Sequence, residues 1–464
     1  MVVYKCYLNK KVMWIVLLLF YFLPRFSIFL LSSPWEVNAG EEKILINDAK
    51  NYNRCALNIL KNRIFSNSEK FPLSPEAHIT PGYPFYIAVF YYIFGEKPWV
   101  ILLSQILLQS FLLWGMWLLV KMFGFSFRTY FIGATIVSLD SVNVITSMVL
   151  IPDSIFSLII LFSFIYLLKI REQKLLKPIF VSTLLLSTGI YFKPGARFII
   201  LVWSILIFIL KEIKLKEKLK GVGLLWLVCF ISILPWMARN YKYFGHLSFS
   251  YHIYEHLRTH AKEILVEKLH VSEKDADFMI NQQLKKIEKK RSTIRNIWNR
   301  AYKRYKIYKE IILGNWLLWG KLTVRDAFLV YILPSTSRYI QLIFGEKYAS
   351  VTTLSVGEFM NLLREKGLIN GLRLIYNKKS IAGLLFVIII SILNFCLFFG
   401  AGVGAIYLFR LNTEIFWIII ITLGLFSLSI GPVLDPRYKL TFFWLFALLS
   451  GLGIDRLFYL IAKK

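Results

Sequence analysis

The sequence predicts an all-α polytopic membrane protein. Hydrophobic residues make up 57% of the 464 positions and the mean hydropathy is +0.58, whereas an ordinary soluble domain is about 45 to 50% apolar. Aromatic residues reach 17%, and Trp and Tyr suit the boundary between lipid and water. Several apolar runs approach the roughly 20 residues that a helix needs to cross the hydrocarbon core. We therefore expect a bundle of transmembrane helices with polar segments outside the lipid.

About ten apolar runs are predicted to span the membrane. The first has no small-residue cleavage site and is interpreted as a retained anchor rather than a signal peptide. Residues 81–95, PGYPFYIAVFYYIFG, are also apolar, but the run is short, and we expect an interfacial or re-entrant helix there. The predicted spans lie near residues 12–31, 98–120, 129–149, 154–169, 178–192, 198–210, 221–236, 381–409, 415–433 and 439–460.

The net charge of +29 lies largely in short loops between these runs. Examples are Lys121 with Arg128, and the basic stretch 211–220. Helices in lipid cannot present such loops as one surface that follows a nucleic-acid groove, so nucleic acid is not an expected partner. The excess of Lys and Arg instead orients the chain by the positive-inside rule. It predicts a multi-pass protein of the plasma (inner) membrane with both termini in the cytoplasm.

This topology divides the chain into three regions. Residues 1–236 are predicted to form an N-terminal transmembrane module whose first external loop is 32–97, and residues 381–464 form the C-terminal transmembrane helices. Between them, residues 237–380 are expected to be external and mostly helical. Within that region, the charged amphipathic pattern of 261–310 predicts a solvated helical hairpin.

Charged residues at the predicted outward positions form the candidate site. Asp48 and Asp153 each precede a helical run, where a carboxylate serves either as a helix cap or in catalysis. Positive charge in outward loops opposes the orientation bias, and one such residue alone is readily explained as an anchor to lipid headgroups. Several cations beside two carboxylates favour an anion-binding cavity, because phosphate takes charge-assisted hydrogen bonds from several directions. The cations are Lys193, Arg197, Arg239 and Arg437.

The order of the motifs resembles the GT-C class of glycosyltransferases, which use polyprenyl-phosphate sugars. The motifs are Asp48 with Tyr52 four positions later, then PGYPFYIAVFYYIFG, IPDS, LPWMARNYKYFG and PRYKLTFFW. The pattern is most similar to bacterial family 39, which includes the lipid A aminoarabinose transferase and protein O-mannosyltransferase groups. The resemblance covers residues 1 to about 250 and resumes from about 380 to 455. It implies a GT-C-like bundle with external juxtamembrane helices.

The resemblance also implies an activity and roles for individual residues. The expected enzyme is an inverting hexosyl- or pentosyltransferase that moves a sugar from a polyprenyl-phosphate carrier to an envelope lipid, glycan or protein at the outer face of the membrane. Asp48 is the expected base, Asp153 the second catalytic carboxylate, and the four cations with Tyr438 are expected to bind the donor phosphate. Further cavity candidates are Tyr52, Glu76, His78, Tyr83 and Asp140.

No cofactor is assigned, and a divalent metal remains open. Several relatives have Glu directly after the first-loop aspartate, where this chain has Ala49, which weakens a metal site built on an Asp–Glu pair. His252, His256 and His260 recur every four positions and would share one helix face. That spacing fits either a metal arrangement or the polar face of an external helix.

Asp140 interrupts the third predicted span and allows two interpretations. An ionisable residue at membrane depth is a candidate functional residue. Alternatively, the helix ends near Leu139 and Asp140 lines the outer cavity.

Two other classes of protein compete with the transferase. A lipid-linked oligosaccharide ligase or polymerase fits the Arg-bearing external loops equally well. A secondary transporter would show matched halves and broken helices near the midplane, and the sequence shows neither. The first-loop aspartate followed by PGYP favours the GT-C interpretation.

Overall fold

The computed structural model describes residues 10–36, 44–45, 48–171, 176–211, 213–287, 297–332 and 381–462. Within these ranges every regular element is a helix, which confirms the all-α membrane class. The helices long and apolar enough to cross a membrane are Lys10–Ser32, Pro98–Phe123, Asp153–Arg171, Leu215–Phe244, Ile389–Leu411 and Phe443–Ala462. Several shorter apolar helices lie among them, and the total of about ten spans stays a prediction.

The N-terminal part of the chain forms ten of the α-helices that the structure describes. They are α1 (Lys10–Ser32), α2 (Asp48–Asn62), α3 (Gly82–Phe94), α4 (Pro98–Phe123), α5 (Phe127–Leu139), α6 (Ser141–Thr146), α7 (Asp153–Leu168), α8 (Leu176–Phe192), α9 (Arg197–Ile209) and α10 (Leu215–Phe244). Short 3₁₀ turns follow α7 and α8, at Lys169–Arg171 and Pro194–Ala196.

The remaining described helices divide into a middle set, from the region predicted to be external, and a C-terminal set. The first set is α11 (His252–Leu269), α12 (Glu273–Ile287), α13 (Ile297–Leu313) and α14 (Trp316–Ile332); the second is α15 (Ile381–Leu411), α16 (Thr413–Ser429) and α17 (Phe443–Ala462). A 3₁₀ turn, Pro436–Thr441, precedes α17. The predicted region boundary at 236 falls inside α10, and the boundary at 380 borders residues 333–380, which lie outside the described residues.

Local sequence signals account for several helix ends. Pro98 starts α4, where its missing N–H costs nothing, and Gly124 ends it in the left-handed conformation with φ +69°. The hydroxyl of Ser126 then accepts the N–H of Thr129 and caps α5. Asn412 caps α16 in the same way through the N–H of Ile415.

Two sequence predictions of helix extent are wrong. The span predicted over 129–149 breaks at Asp140, whose carboxylate accepts the N–H of Asn143 and starts the short helix α6. A polar residue that caps a new helix ends the preceding one, because its backbone leaves the helical conformation. The hairpin predicted over 261–310 is instead part of three helices, α11 to α13, and begins earlier, at His252.

The two ends of the bundle carry different charged contacts. Arg128 pairs with Asp455 at 3.2 Å, and Lys10 lies 5.9 Å from the ring centre of Phe127. Lys10 and Arg128 belong to the basic segments that are predicted to be cytoplasmic. The loops predicted to face outward gather at the opposite end, around the cavity described below. The arrangement of the loops at two ends agrees with the topology, and which end faces the cell interior stays a prediction.

Glycines let α17 approach its neighbours closely. A Cβ on Gly451 would lie 2.7 Å from the carbonyl oxygen of Thr129 in α5. A Cβ on Gly404 in α15 would overlap the carbonyl oxygen of Leu449 and lie 3.0 Å from the nitrogen of Gly453. Small residues of this kind allow backbone-to-backbone packing between membrane helices, where the hydrophobic effect contributes little.

We predict that Gly404→Val destabilises the protein by about 3 kcal/mol, because the clash is with partner backbone rather than with a movable side chain. Gly402→Val is the matched control, since it makes the same change two residues away in α15 where a Cβ meets open space. The melting temperatures of the two purified variants in detergent test this. Equal melting temperatures would show that the glycine contact does not control packing.

Candidate functional site

A cavity of about 330 Å³ lies at the end of the bundle opposite the basic loops. The beginnings of α2, α7, α9 and α11, the end of α16, and the 3₁₀ turn before α17 all contribute to its wall. Backbone N–H groups at helix beginnings favour negative charge. The geometry therefore creates a site suited to an anion even before side chains are considered.

Asp153 and Lys193 form an ion pair in the wall. Asp153 Oδ1 and Lys193 Nζ are 2.8 Å apart, and the Asp153 side chain is 3% exposed while that of Lys193 is 22% exposed. The ammonium also lies 5.5 Å from the ring centres of Phe156 and Tyr438. The lysine is thus fixed by a buried carboxylate and two aromatic rings, with part of its surface left open to the cavity.

Arg437 lies across from this pair, in the turn before α17. Its Nε donates to Asp435 Oδ2 at 2.8 Å, and its Nη1 is 4.0 Å from Asp48 Oδ2. Burial alone would lower the pKa of Arg437, but the carboxylates of Asp435 and Asp153 outweigh it and the pKa is raised. The Asp48 side chain is 62% exposed, so it lies at the open mouth of the cavity.

Histidines line the side of the cavity formed by α11. His78 Nε2 and His252 Nδ1 are 3.1 Å apart, so one imidazole donates to the other. The Nε2 atoms of His256 and His260 both lie within 3.2 Å of the carbonyl oxygen of Ile430, the residue that follows α16. Since a carbonyl only accepts, both rings donate there. The histidine face of α11 therefore packs against the end of α16 in the transmembrane bundle.

The described residues do not provide a donor set for a metal ion. No group of three or more His, Cys, Asp or Glu within those ranges is placed to hold one. Asp153 forms an ion pair with Lys193, and His256 donates a hydrogen bond to the carbonyl group of Ile430. A requirement for a divalent metal stays a prediction, and the mechanism proposed below takes no step through one.

Most of the predicted site residues meet at this cavity. Tyr52 packs edge-on against Tyr83, and Glu76 accepts the N–H groups of Ala77 and His78. Arg197 donates to the carbonyl of Pro194 at 3.0 Å. The predicted residues that line the cavity are Asp48, Tyr52, Glu76, His78, Asp153, Lys193, Arg197, Arg437 and Tyr438.

Three predicted residues lie elsewhere in the described structure. Arg239 donates to the carbonyl groups of Glu76 and Phe65 and stacks over Trp236 at 4.7 Å, so it holds the loop that leads to the cavity. Tyr83 is fully buried beneath Tyr52 and donates to Gln105.

Asp140 ends its helix, as one interpretation of the sequence held, but it does not join the residues that line the cavity. Its carboxylate faces Lys439 instead, at 2.6 Å. Lys439 was not among the predicted site residues.

Sequence reasoning also missed lining residues that carry no charge. They include Asn51, Tyr251, Phe426 and Ser429. Asn51 lies one helical turn after Asp48, so the helix period could have identified it. The others come from segments that the resemblance did not cover or that read as ordinary membrane helix, and no local signal marks them.

Residues 78–236 match the family described as dolichyl-phosphate-mannose-protein mannosyltransferase. The structure resembles that of the oligosaccharyltransferase AglB from Archaeoglobus fulgidus in complex with an inhibitory peptide and a dolichol-phosphate, with a TM-score of 0.50 and 13% identity over 95% of this chain and 50% of that chain. The chain has a GT-C fold.

A second structure of the A. fulgidus oligosaccharyltransferase, tethered to an acceptor peptide containing the NVT sequon, has a TM-score of 0.48 and 13% identity. The match covers 95% of this chain and 50% of the oligosaccharyltransferase chain. This GT-C chain thus spans about half the length of the solved structures it matches. No curated protein sequence matches it.

The buried imidazole of His252 predicts how the stability of the protein depends on pH. Burial first, then the nearby charges of His78, His256, Arg197 and Lys193, lower the pKa of His252 to about 3. Below pH 6.5 the unfolded chain protonates this residue while the folded GT-C protein keeps it neutral, so stability falls as pH falls from 6.5 toward 3. We expect His252→Gln to remove up to about 1.4 kcal/mol per pH unit of that dependence.

Melting temperatures of the protein between pH 7 and pH 5 measure this effect. His270→Asn is the control, because His270 is exposed at the end of α11 in a left-handed conformation that Asn tolerates. The control is expected to keep the pH dependence of the unaltered protein. If His252→Gln kept it as well, the buried imidazole would not be its source.

Proposed function

We propose that the protein is an inverting glycosyltransferase that moves a sugar from a polyprenyl-phosphate carrier to an acceptor of the cell envelope, at the outward face of the membrane. The observation that carries this proposal is the convergence of Lys193, Arg197 and Arg437 on one cavity beside Asp48 and Asp153. The family match over residues 78–236 and the GT-C fold support the same class of reaction.

The cations suit the leaving group. When the bond between the anomeric carbon and the phosphate oxygen breaks, the electron pair stays on the phosphate, whose negative charge grows. Fixed positive charges aimed at that position stabilise the transition state more than the ground state. Lys193 is held in place by Asp153 before any donor binds, so little reorganisation is needed during the reaction.

Asp48 suits the role of base. It begins α2 at the exposed mouth, where an acceptor can reach it, whereas the ion pair of Lys193 lies deeper. In the proposed step, the Asp48 carboxylate takes the proton from an acceptor hydroxyl or amine as the acceptor atom attacks the anomeric carbon. Attack from the side opposite the phosphate inverts the configuration of that carbon. General base catalysis of this kind contributes about 10² to 10⁴-fold.

The polyprenyl tail fits the chemistry of the surroundings. Phe156, Phe426 and Ile430 line the cavity next to the cations, and the helices that carry or precede them continue into the apolar bundle. A phosphate group at the helix beginnings with a hydrocarbon chain along the bundle satisfies both kinds of surface. We infer a lipid monophosphate donor on this ground, and AglB, with the same fold, was solved with dolichol-phosphate bound.

We predict that Asp48→Asn lowers transfer about 10² to 10⁴-fold, because the amide cannot accept the proton. The measurement is transfer from a radiolabelled polyprenyl-phosphate-sugar extract to endogenous acceptors in membranes, at equal expression. Asp455→Asn, which alters a carboxylate at the other end of the bundle, is expected to retain transfer. Unchanged transfer by Asp48→Asn would show that Asp48 is not the base. Solute uptake without any transfer would indicate a transporter.

We predict that Lys193→Gln lowers the rate of transfer at saturating donor about 10² to 10³-fold, since it removes one fixed charge from the leaving group. Lys193→Arg keeps the charge and is expected to recover part of the rate. Single-turnover assays on purified protein separate the rate from donor binding. Equal rates for Lys193→Gln and Lys193→Arg would show that the charge does not act on the leaving group.

A further inference from the structure

The pair formed by Asp140 and Lys439 is the most deeply buried ion pair among those described. Lys439 Nζ is 2.6 Å from Asp140 Oδ2, and the two side chains are 0% and 3% exposed. The second oxygen of Asp140 accepts the N–H of Asn143 at 2.9 Å. The ammonium of Lys439 also lies 4.4 Å from the ring centre of Phe443. Each charge is thus satisfied, and neither side chain lines the cavity.

The pair joins two places where the helical backbone is interrupted. Asp140 lies at the break between α5 and α6, and Lys439 lies in the 3₁₀ turn before α17. In a 3₁₀ helix three residues complete one turn, so successive side chains point about 120° apart. Lys439 accordingly points into the protein, while Arg437 and Tyr438 of the same turn face the cavity.

Two side chains donate to backbone carbonyl groups of the turn. Ser157 donates to the carbonyl of Leu440 at 2.7 Å, and Trp444 donates to that of Thr441 at 3.0 Å. Both carbonyl groups belong to residues that follow Lys439 in the sequence, whereas Arg437 precedes it. Among the described residues, Arg437 and Tyr438 reach other elements only through longer contacts, with Asp48 at 4.0 Å and Lys193 at 5.5 Å. The bond from Lys439 to Asp140 is therefore the tertiary side-chain hydrogen bond nearest to them in the sequence.

A structural role alone does not explain the choice of charges. Moving two charges out of water costs several kcal/mol each, and well-packed apolar residues of similar volume stabilise a protein equally well or better. What a charge pair adds is a fixed geometry, because a salt bridge with a second hydrogen bond has one favourable arrangement. The arrangement fixed here is that of the turn carrying Arg437.

We propose that Asp140 and Lys439 are positioning residues that hold the turn 436–441 so that Arg437 and Tyr438 meet the phosphate of the lipid donor. The role in catalysis rests on the proposed function. Neither residue touches the donor. They act through the turn, and Asp140 reaches Lys439 from the break between α5 and α6.

The experiment measures binding of undecaprenyl phosphate to purified protein in nanodiscs, together with melting temperature. Lys439→Met leaves Asp140 buried without its partner, so both stability and affinity should fall. In the double variant Asp140→Asn/Lys439→Met no unpaired charge remains, so stability should recover. The affinity should stay about 10-fold or more below that of the unaltered protein, because the orientation of Arg437 is still lost. Lys439→Arg should recover part of the affinity.

The matched control is Arg171→Met/Glu414→Gln, which removes another ion pair, of part-buried residues at the opposite end of the bundle. It should leave the affinity for undecaprenyl phosphate unchanged. If the double variant at 140 and 439 regained full affinity along with stability, the pair would be merely structural and the inference would be overturned.

A second readout separates this inference from the proposed function. In a Tyr438→Cys background in which the exposed native Cys396 is replaced by Ser, the rate of maleimide labelling at residue 438 reports the position of the turn without any donor. Lys439→Met should change that rate several-fold, and Arg171→Met should not. Unaltered protein that does not bind undecaprenyl phosphate contradicts the proposed function. An unchanged labelling rate contradicts the positioning role, whatever the donor is.

Discussion

The need to give every charge inside a low-dielectric bundle a partner shapes the structure around the site. Arg25 of α1 is fully buried; it donates to the carbonyl groups of Tyr21 and Ser138 and lies 3.9 Å from the ring centre of Tyr21. An isolated charge there would cost far more than the fold can supply. Because its acceptor at Ser138 is a carbonyl close to the end of α5, where the next turn of helix is missing, the buried arginine and the break at Asp140 support each other.

The same requirement explains why two of the cations of the cavity have carboxylate partners. Asp153 has Lys193, and Arg437 has Asp435. A cation held by a carboxylate keeps its position in an apolar environment. The cavity wall can therefore present positive charge to a ligand while the bundle around it stays stable without one.

Part of this site could be predicted from the sequence for a physical reason. Lys193 and Arg437 stand at loop positions that are predicted to face outward, where positive charge opposes the membrane orientation bias, and such residues need an explanation beyond topology. Asp48 and Asp153 begin helices, which a sequence pattern can recognise. The motif order supplied the GT-C fold. In these cases the relevant information, namely depth, sign of charge and distance to a helix end, is local.

The rest of the site could not be predicted, because the direction in which a side chain points is not encoded in the local sequence. Arg239 satisfies the same criteria as Arg437, yet it lies in the last turns of the long helix α10, and its side chain meets the loop carbonyls of Phe65 and Glu76. Lys439 follows Tyr438 directly, but the 3₁₀ turn points the two side chains to different sides. Which side of a short turn faces a cavity follows from long-range packing, here with residues about 300 positions away.

Helix α11, from the region predicted to be external, contributes directly to the site. Tyr251, His252 and His256 line the cavity from the beginning of α11. Gly431 has φ +75°, and a Cβ there would overlap the ring of His260, so the chain after α16 is shaped to receive the histidine face. The charges of Lys193 and Arg197 act on His252, so the beginning of α11 lies close to both cations. In the proposed reaction, the wall nearest the leaving group is therefore built by the region for which the motif resemblance gives no precedent.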